Sequence, residues 1–210
     1  MFKPAYILTL ICILIMQNLH SQEIKTLPAP EKTGGMPLMQ AFNERQTIRE
    51  IKEGKLSEQQ LSNILWAAYG INRPESGKRT VPTSRNKQEM DVYVALEEGL
   101  YLYDAIKHQL IRVLEIDIRR ETGEQEFVNI AAVNLIYVAD YNRAGSDPES
   151  YRNTSSVNTG FMAQNVYLYC ASEDLACVVR GWFNKDHLRD VMRLEGHQEV
   201  ILTQTVGLKK

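Results

Sequence analysis

LSEQQLSNILWAAYGINRPESGKRTVPTSRNKQEMDVYVAL, residues Leu56 to Leu96, encodes a helix, a long polar loop and a strand in succession. Ser57 is a good N-cap, and Gln60 three residues on completes a capping box. Leu61, Ile64, Leu65 and Ala68 then fall on one face at helical spacing. Gly70 is placed to end the helix. Of the 19 residues from Ile71 to Glu89, only Ile71 and Val81 carry large apolar side chains, and Arg73, Lys78, Arg79, Arg85 and Lys87 are basic. Met90 to Leu96 returns to apolar, β-rich character. A long polar loop held between two buried elements is a common place for a binding site.

The rest of the chain is read outward from that stretch. With 210 residues, 44% of them hydrophobic, it can bury a full core as one domain. A formal charge of −2 and a pI near 6.1 exert no global pull toward nucleic acid or an anionic membrane. Residues 1–21 have the layout of a secretory signal peptide: Lys3, an apolar run from Tyr6 to Met16, and a small residue at Ser21. The run is short for a membrane span, and Cys12 has no small residue before it, so no lipid anchor is expected. The mature protein is therefore expected to be exported, to the periplasm; it is cytoplasmic if residues 1–21 are instead a buried amphipathic helix. Residues 22–35, with two Pro and two Gly, read as a linker or arm, and 36–210 as the folded domain.

Pro37 to Arg45 reads as a short helix with Leu38 and Phe42 inward. It runs into Arg45-Gln46-Thr47-Ile48-Arg49, where two guanidiniums and a hydroxyl alternate. In an extended segment that spacing puts all three on one face, a donor set suited to a phosphate or a carbonyl-bearing ring edge. A solvated charged turn is the plain alternative. Leu100–Tyr103 and Ile111–Ile116 read as strands, and Ala131–Ala139 as a strand in the sheet interior. Residues 140–153 read as a loop with Arg143 and Arg152 solvated, and Thr154–Ala176 as a buried helix closely approached at Gly160. His197–Val206 reads as the last strand. Cys170 and Cys177, seven apart in a helical pattern, would be too far apart for a disulfide and read as buried thiols; thiols left free argue mildly against an oxidising compartment. The Tyr residues there and Trp182 read as core. No Cys or His cluster has metal spacing.

Four of these segments together resemble the nitroreductase family. Trp66–Arg73 and Arg79–Gln88 are similar to its flavin-binding core, Pro82-Thr83-Ser84-x-Asn86-x-Gln88 resembling the family's Pro-Ser-Ser-x-Asn-x-Gln loop. Arg45-x-Thr47-x-Arg49 resembles its first flavin segment, with Thr for Ser. Thr159–Leu168 resembles its central helix. Val179-Arg180-Gly181 resembles the segment whose backbone N–H groups face the flavin ring, with Arg180 where Glu is common.

The resemblance covers residues 36 to 210 and implies an α+β fold: a mixed, mostly antiparallel sheet flanked by helices, in an intertwined homodimer. It implies FMN at the dimer interface, with the Arg45 and Gly181 segments from one subunit and the Pro82–Asn86 loop from its partner. Lys209 and Lys210 stand where relatives continue into an arm carrying phosphate-binding cations. The activity implied is electron transfer from a reduced donor, such as NAD(P)H, to a small organic acceptor such as a nitroaromatic or a quinone. The alternatives are another flavin reaction (dehydrogenation of a peptide ring, reductive dehalogenation, flavin cleavage) or a non-catalytic binding protein on the same fold. Arg180 beside that glycine could face the flavin, the donor or solvent.

Overall fold

A computed structural model describes residues 23–145 and 148–210. The expected signal segment lies outside the described residues; within them no helix is long and apolar enough to cross a membrane.

Alternation along the strands decides the architecture. In β5 (Met90–Leu96), Met90, Val92, Val94 and Leu96 point into one buried cluster, and Tyr93 and Ala95 into another. In β8 (Val133–Asp140), Val133, Leu135, Tyr137 and Ala139 join the first, while Ile136 and Val138 join the second. A strand buried on both faces favours apolar residues at nearly every position, which is why β8 reads as an apolar run broken only by the buried Asn134 before its last residue. It lies between β5 and β10 (Gln198–Lys209) in an eight-stranded sheet. The order is β1 (Ile24–Thr26), β7 (Gln109–Leu114), β6 (Gly99–Asp104), β5, β8, β10 and β2 (Ile51–Lys52), with β9 (Leu175–Arg180) also paired to β10. Every pairing in it is antiparallel. The β5–β6 hairpin closes through Glu97-Glu98 into Gly99, whose φ is 146°; a Cβ there would lie 2.3 Å from the Leu114 carbonyl oxygen.

One face is covered by α2 (Glu58–Tyr69) and α5 (Pro148–Ser172), which pack on each other and on the sheet through Ile64, Leu65, Met162 and Val166. The capping box forms as expected: Gln60 N donates to Ser57 Oγ at 3.1 Å, and Ser57 N to Gln60 Oε1 at 3.0 Å. Leu188 and Met192 of α6 (Lys185–Met192) cover the other face with Ile118. The remaining helices, α1 (Leu38–Glu44), α3 (Phe127–Ile130) and α4 (Tyr141–Ala144), are short. This is the α+β, mostly antiparallel architecture the resemblance implies.

Several local readings change. The arm at 22–35 begins with β1, a strand too short to show periodicity, paired to β7 on the sheet edge. α1 buries Ala41 only, and leaves Leu38, Met39 and Phe42 exposed. The 140–153 loop holds α4 and the start of α5, whose first residue is Pro148; proline is tolerated there because its missing N–H has no helical partner. Arg143 is ion-paired to Asp91 (2.6 Å) and Asp140 (3.1 Å), and Arg152 to Glu149 and Glu199, so neither is simply solvated. α5 stops at Ser172, and Asp174, with φ 55°, turns the chain directly into β9.

His108 links the arm, α2 and β6. Ser62 Oγ gives its proton to Pro28 O at 2.6 Å, so His108 Nε2 donates to Ser62 (2.7 Å) and Nδ1 accepts from Tyr103 OH (2.8 Å). This is a neutral imidazole, and burial lowers its pKa below the ordinary 6.5. The unfolded chain then binds the proton more readily. Stability is present above pH 6.5 and falls as pH drops from there toward the folded value. Urea midpoints measured between pH 7.5 and 5 should show this fall, and His108→Gln should flatten it; an unchanged profile in the variant would assign the effect elsewhere.

Candidate functional site

After α1 the chain runs from Arg45 to Glu50 outside any helix or strand, and turns tightly where Ile51 N donates to Arg49 O (3.0 Å). Ile48 N donates to Cys177 O at 3.0 Å, and Ile48 packs beside Ile51 and Ala176, pinning the segment to the side of β9. Thr47 Oγ1 lies 3.0 Å from Tyr167 OH, and the Arg45 guanidinium stands 5.4 Å from the Tyr167 ring centroid. The same Tyr167 oxygen accepts Val179 N–H at 2.8 Å. Tyr167 can therefore donate to Thr47, which leaves the Thr47 proton free for a ligand. Arg45 is half-buried and Arg49 exposed, and among the described residues neither is in an ion pair. In the chain, Arg45 and Arg49 thus stand on either side of Thr47, with Arg45 and Thr47 both at Tyr167. Tyr167, read from sequence as core, is the hinge-pin joining this segment, α5 and β9. On an apolar helix a tyrosine with a polar task looks the same as one without.

The 71–89 loop is folded rather than free. β3 (Ile71–Arg73) and β4 (Lys78–Arg79) form a small hairpin, and Ser84–Asn86 is one 3-10 turn. Gln88 organises it, accepting from Arg79 Nε (2.8 Å), donating to Gly77 O (3.1 Å) and Asn86 Oδ1 (3.2 Å), and giving its backbone N–H to Thr83 Oγ1 (3.0 Å). Arg85, Asn86 and Gln88 all have φ near 50°, a costly conformation for residues with a Cβ. Thr83 and Asn86 spend acceptor capacity on shaping the loop, and Asn86 gives its backbone N–H to Thr83 O (3.0 Å); among the described residues the side-chain donors of Ser84 and Asn86 stay open. With Pro82, Thr83 and Ser84, the residues Val157, Asn158 and Phe161 of α5 line a shallow groove of about 420 Å³. Tyr151 OH also reaches Ser84 O at 3.2 Å.

Both segments therefore lie along α5, one at Tyr167 and the other between Tyr151 and Phe161. At 1.5 Å per residue they are separated by roughly 10–24 Å. Between them, exposed, lie Val157, Gly160, Phe161 and Gln164. Among the described residues nothing outside its own helix backbone lies within 4 Å of where a Cβ at Gly160 would be, so the expected close approach is not made there.

The end of β9 departs most from expectation. Val179 contributes the backbone N–H already described, and Gly181 is exposed, with only Leu202 Cδ2 (3.7 Å) near a Cβ there. Arg180 does not face solvent. It is 5% exposed and turned to the sheet face opposite Tyr167. Its guanidinium donates to Thr122 O (2.8 Å), Thr205 Oγ1 (2.7 Å) and Asn134 Oδ1 (3.1 Å). No carboxylate pairs with it among the described residues, and burial pushes its pKa down to about 10. The cause is the two-residue period of a strand: Cys177 and Val179 look toward α5, so Arg180 must look away. Trp182, expected in the core, is 68% exposed, because the strand has ended before it.

Lys209 is ion-paired to Asp174, which reduces its availability for an anion. Cys170 and Cys177 are buried and free as expected, but not on one helix. Cys170 sits on α5 and Cys177 on β9, where Cys177 Sγ accepts from Gln204 Nε2 at 3.1 Å, and burial pushes the Cys170 thiol well above its usual range. Among the described residues no three His, Cys, Asp or Glu side chains are placed to hold a metal. A cleft of about 350 Å³ opens elsewhere, beside Lys25, Lys55 and Arg119, and touches none of these segments. Its cations are already paired, to Glu98, Glu97 and Asp117, so among the described residues it offers no free cation.

The chain is similar to known proteins over most of its length. The nitroreductase family model matches residues 43–208. A nitroreductase-family protein of Methanocaldococcus jannaschii is 31% identical over 177 residues, covering 79% of this chain and 87% of its own. The crystal structure of a nitroreductase-family protein from Ralstonia eutropha JMP134 superposes with a TM-score of 0.85 at 43% identity, covering 91% of each chain. The NADPH:FMN oxidoreductase of Vibrio harveyi, solved with NAD+, shares the fold at a TM-score of 0.62 and 19% identity, over 82% of this chain and 69% of its own. The matched span takes in the arginine pair, the Pro82 loop, α5 and the Gly181 strand end, and on that match the chain belongs to the nitroreductase family.

Proposed function

We propose that this protein is an FMN-dependent oxidoreductase that works as a homodimer, passing electrons from a reduced donor such as NAD(P)H to a small organic acceptor such as a nitroaromatic or quinone. The observation that carries the reading is the convergence on Tyr167. Its ring and hydroxyl hold Arg45 and Thr47 beside the strand that ends in Gly181. Motifs far apart in sequence thereby meet on the surface around one tyrosine.

That surface fits FMN. Arg45 and Arg49 carry unpaired charge for the phosphate, Thr47 adds a hydroxyl donor, and Gly181 leaves backbone open to a flat ring. Bound FMN supplies the redox chemistry, which explains the lack of any need for a nucleophile–base pair. The chain's own residues bind, orient and shield. The strained 85–88 turn holds the Ser84 and Asn86 donors in place, and the Val157–Phe161 face of α5 excludes water.

A second copy completes the site. One protomer separates its two motif segments along α5, while Leu38, Met39, Phe42, Val157 and Phe161 are exposed beside them. Packing that stripe on its equivalent would bring the partner's Pro82 loop toward the arginine segment, and Gly160 would let the helices approach closely. Export by residues 1–21 belongs to the same proposal and places the donor outside the nicotinamide-rich cytoplasm.

Purified protein should be yellow, with about one FMN per chain, and sediment as a dimer burying more than roughly 2,000 Å². Protein that stays colourless after incubation with excess FMN would refute the flavin reading, and a flavin-loaded monomer at micromolar concentration would refute the shared site.

A further inference from the structure

Arg180 is an arginine buried without a carboxylate, at the position where the chain leaves the sheet for Gly181. A charge so placed is expensive unless its hydrogen bonds are met. Here most of them are, through a connected network. Thr205 accepts from Arg180 and donates in turn to Asn134 Oδ1, and Asn134 Nδ2 donates to Val128 O at 2.8 Å. The Arg180 Nε alone lacks a partner.

The 119–124 turn receives this arginine. Thr122 O accepts from Arg180 Nη1 and also from Thr203 Oγ1 at 2.9 Å. Two residues on, Glu124 N donates to Trp182 O at 3.3 Å. The turn therefore grips the chain at residue 180 through a side chain and at residue 182 through the backbone. Gly181 is the exposed residue between the two grips. Gly123 permits this: a Cβ there would fall 1.6 Å from Arg180 Nη1.

We propose that Arg180 is a positioning residue for the flavin ring: with the 119–124 turn it clamps the Arg180–Gly181–Trp182 backbone at the angle from which Gly181 faces the ring. The inference rests on the FMN reading above. It separates two parts of the site. The Arg45 and Arg49 charges serve the phosphate, and Arg180, which touches no ligand, serves the ring by fixing the backbone that does.

The test compares FMN with riboflavin, which has the ring but no phosphate, on the full-length purified protein. Arg180→Met keeps bulk and loses every donor; Arg180→Lys keeps the charge and loses the fork. Each variant should weaken FMN and riboflavin equally, and for Arg180→Met the loss should be on the order of tenfold, the equivalent of one hydrogen bond to the ring. The visible circular dichroism of the bound flavin should change with them. The Met variant should be the more affected, and Lys should rescue part of the loss. A merely structural arginine predicts otherwise: lower thermal stability, with both affinities and the flavin spectrum unchanged well below the melting temperature. That result would overturn the proposal. If Arg180→Met does not fold, Thr205→Val decides, since it removes one acceptor from the network in a strand that tolerates valine. A weakening of about threefold for both ligands supports the clamp; unchanged binding overturns it. Wild-type protein that binds neither flavin would remove the FMN reading itself, an outcome distinct from flavin-binding variants identical to wild type.

Discussion

Gly123→Ala should cost this protein about 3–5 kcal/mol of stability, the usual loss when a buried charge is parted from its partners. The backbone at Gly123 is extended, with φ −179°, so alanine suffers no conformational penalty there. The whole effect is steric. The new Cβ would lie 1.6 Å from Arg180 Nη1, 2.9 Å from its Cζ and 3.1 Å from Val128 Cγ1. The guanidinium must move, and Thr122 O, Asn134 and Thr205 lose their donor together. In a domain of this size each kcal/mol shifts the melting temperature by about 2–4 °C, so a fall of roughly 6–20 °C is expected. Gly196→Ala, where nothing lies within 4 Å, serves as the control and should be almost silent. A Gly123→Ala protein within about 1 kcal/mol of wild type by urea unfolding would show that the arginine relaxes freely and that its network is not tightly held.

Arg45→Ala and Arg49→Ala should each weaken FMN by about 10- to 150-fold, the equivalent of one charge-assisted hydrogen bond of roughly 1.5–3 kcal/mol. Neither should unfold the protein: Arg45 is half-buried, Arg49 is exposed, and neither holds an ion pair among the described residues. Riboflavin, having no phosphate, should bind the variants nearly as well as wild type. Fluorescence titration of both ligands checks this. If Arg49→Ala binds FMN normally, the phosphate contact lies elsewhere. Asp174→Asn, which would release Lys209, is then the next variant to measure.

How much of this could be read from the residues differs by scale. The capped helix Glu58–Tyr69 and the strand Met90–Leu96 fall where Ser57, Gln60 and the apolar spacing put them, because capping and periodicity are local and strong. Helix and strand ends were less legible. Leu175 and Ala176 continue an apolar pattern that suits a helix or a buried strand equally, and only the turn at Asp174 separates them. The edge strand Ile24–Thr26 has three residues, too few for a period to show, and it exists because β7 offers it an edge. Leu38 and Phe42 were expected inside because they are apolar, but an apolar side chain does not say which molecule covers it.

The sequence by itself determined the backbone plan and the chemical types at the candidate site: two arginines around a threonine, a polar loop and a glycine after a strand. These are matters of composition and spacing. Tertiary structure alone decided which of those groups face outward together. Arg45 and Thr47 meet Tyr167 across 120 residues, and Val179 N reaches the same oxygen. Arg180, one position further along the strand, points to the opposite side, where Thr122, Asn134 and Thr205 await it. A strand's two-residue period shows that neighbours point apart, but not which face is the interior one for a polar group. That depends on what the remainder of the chain packs there.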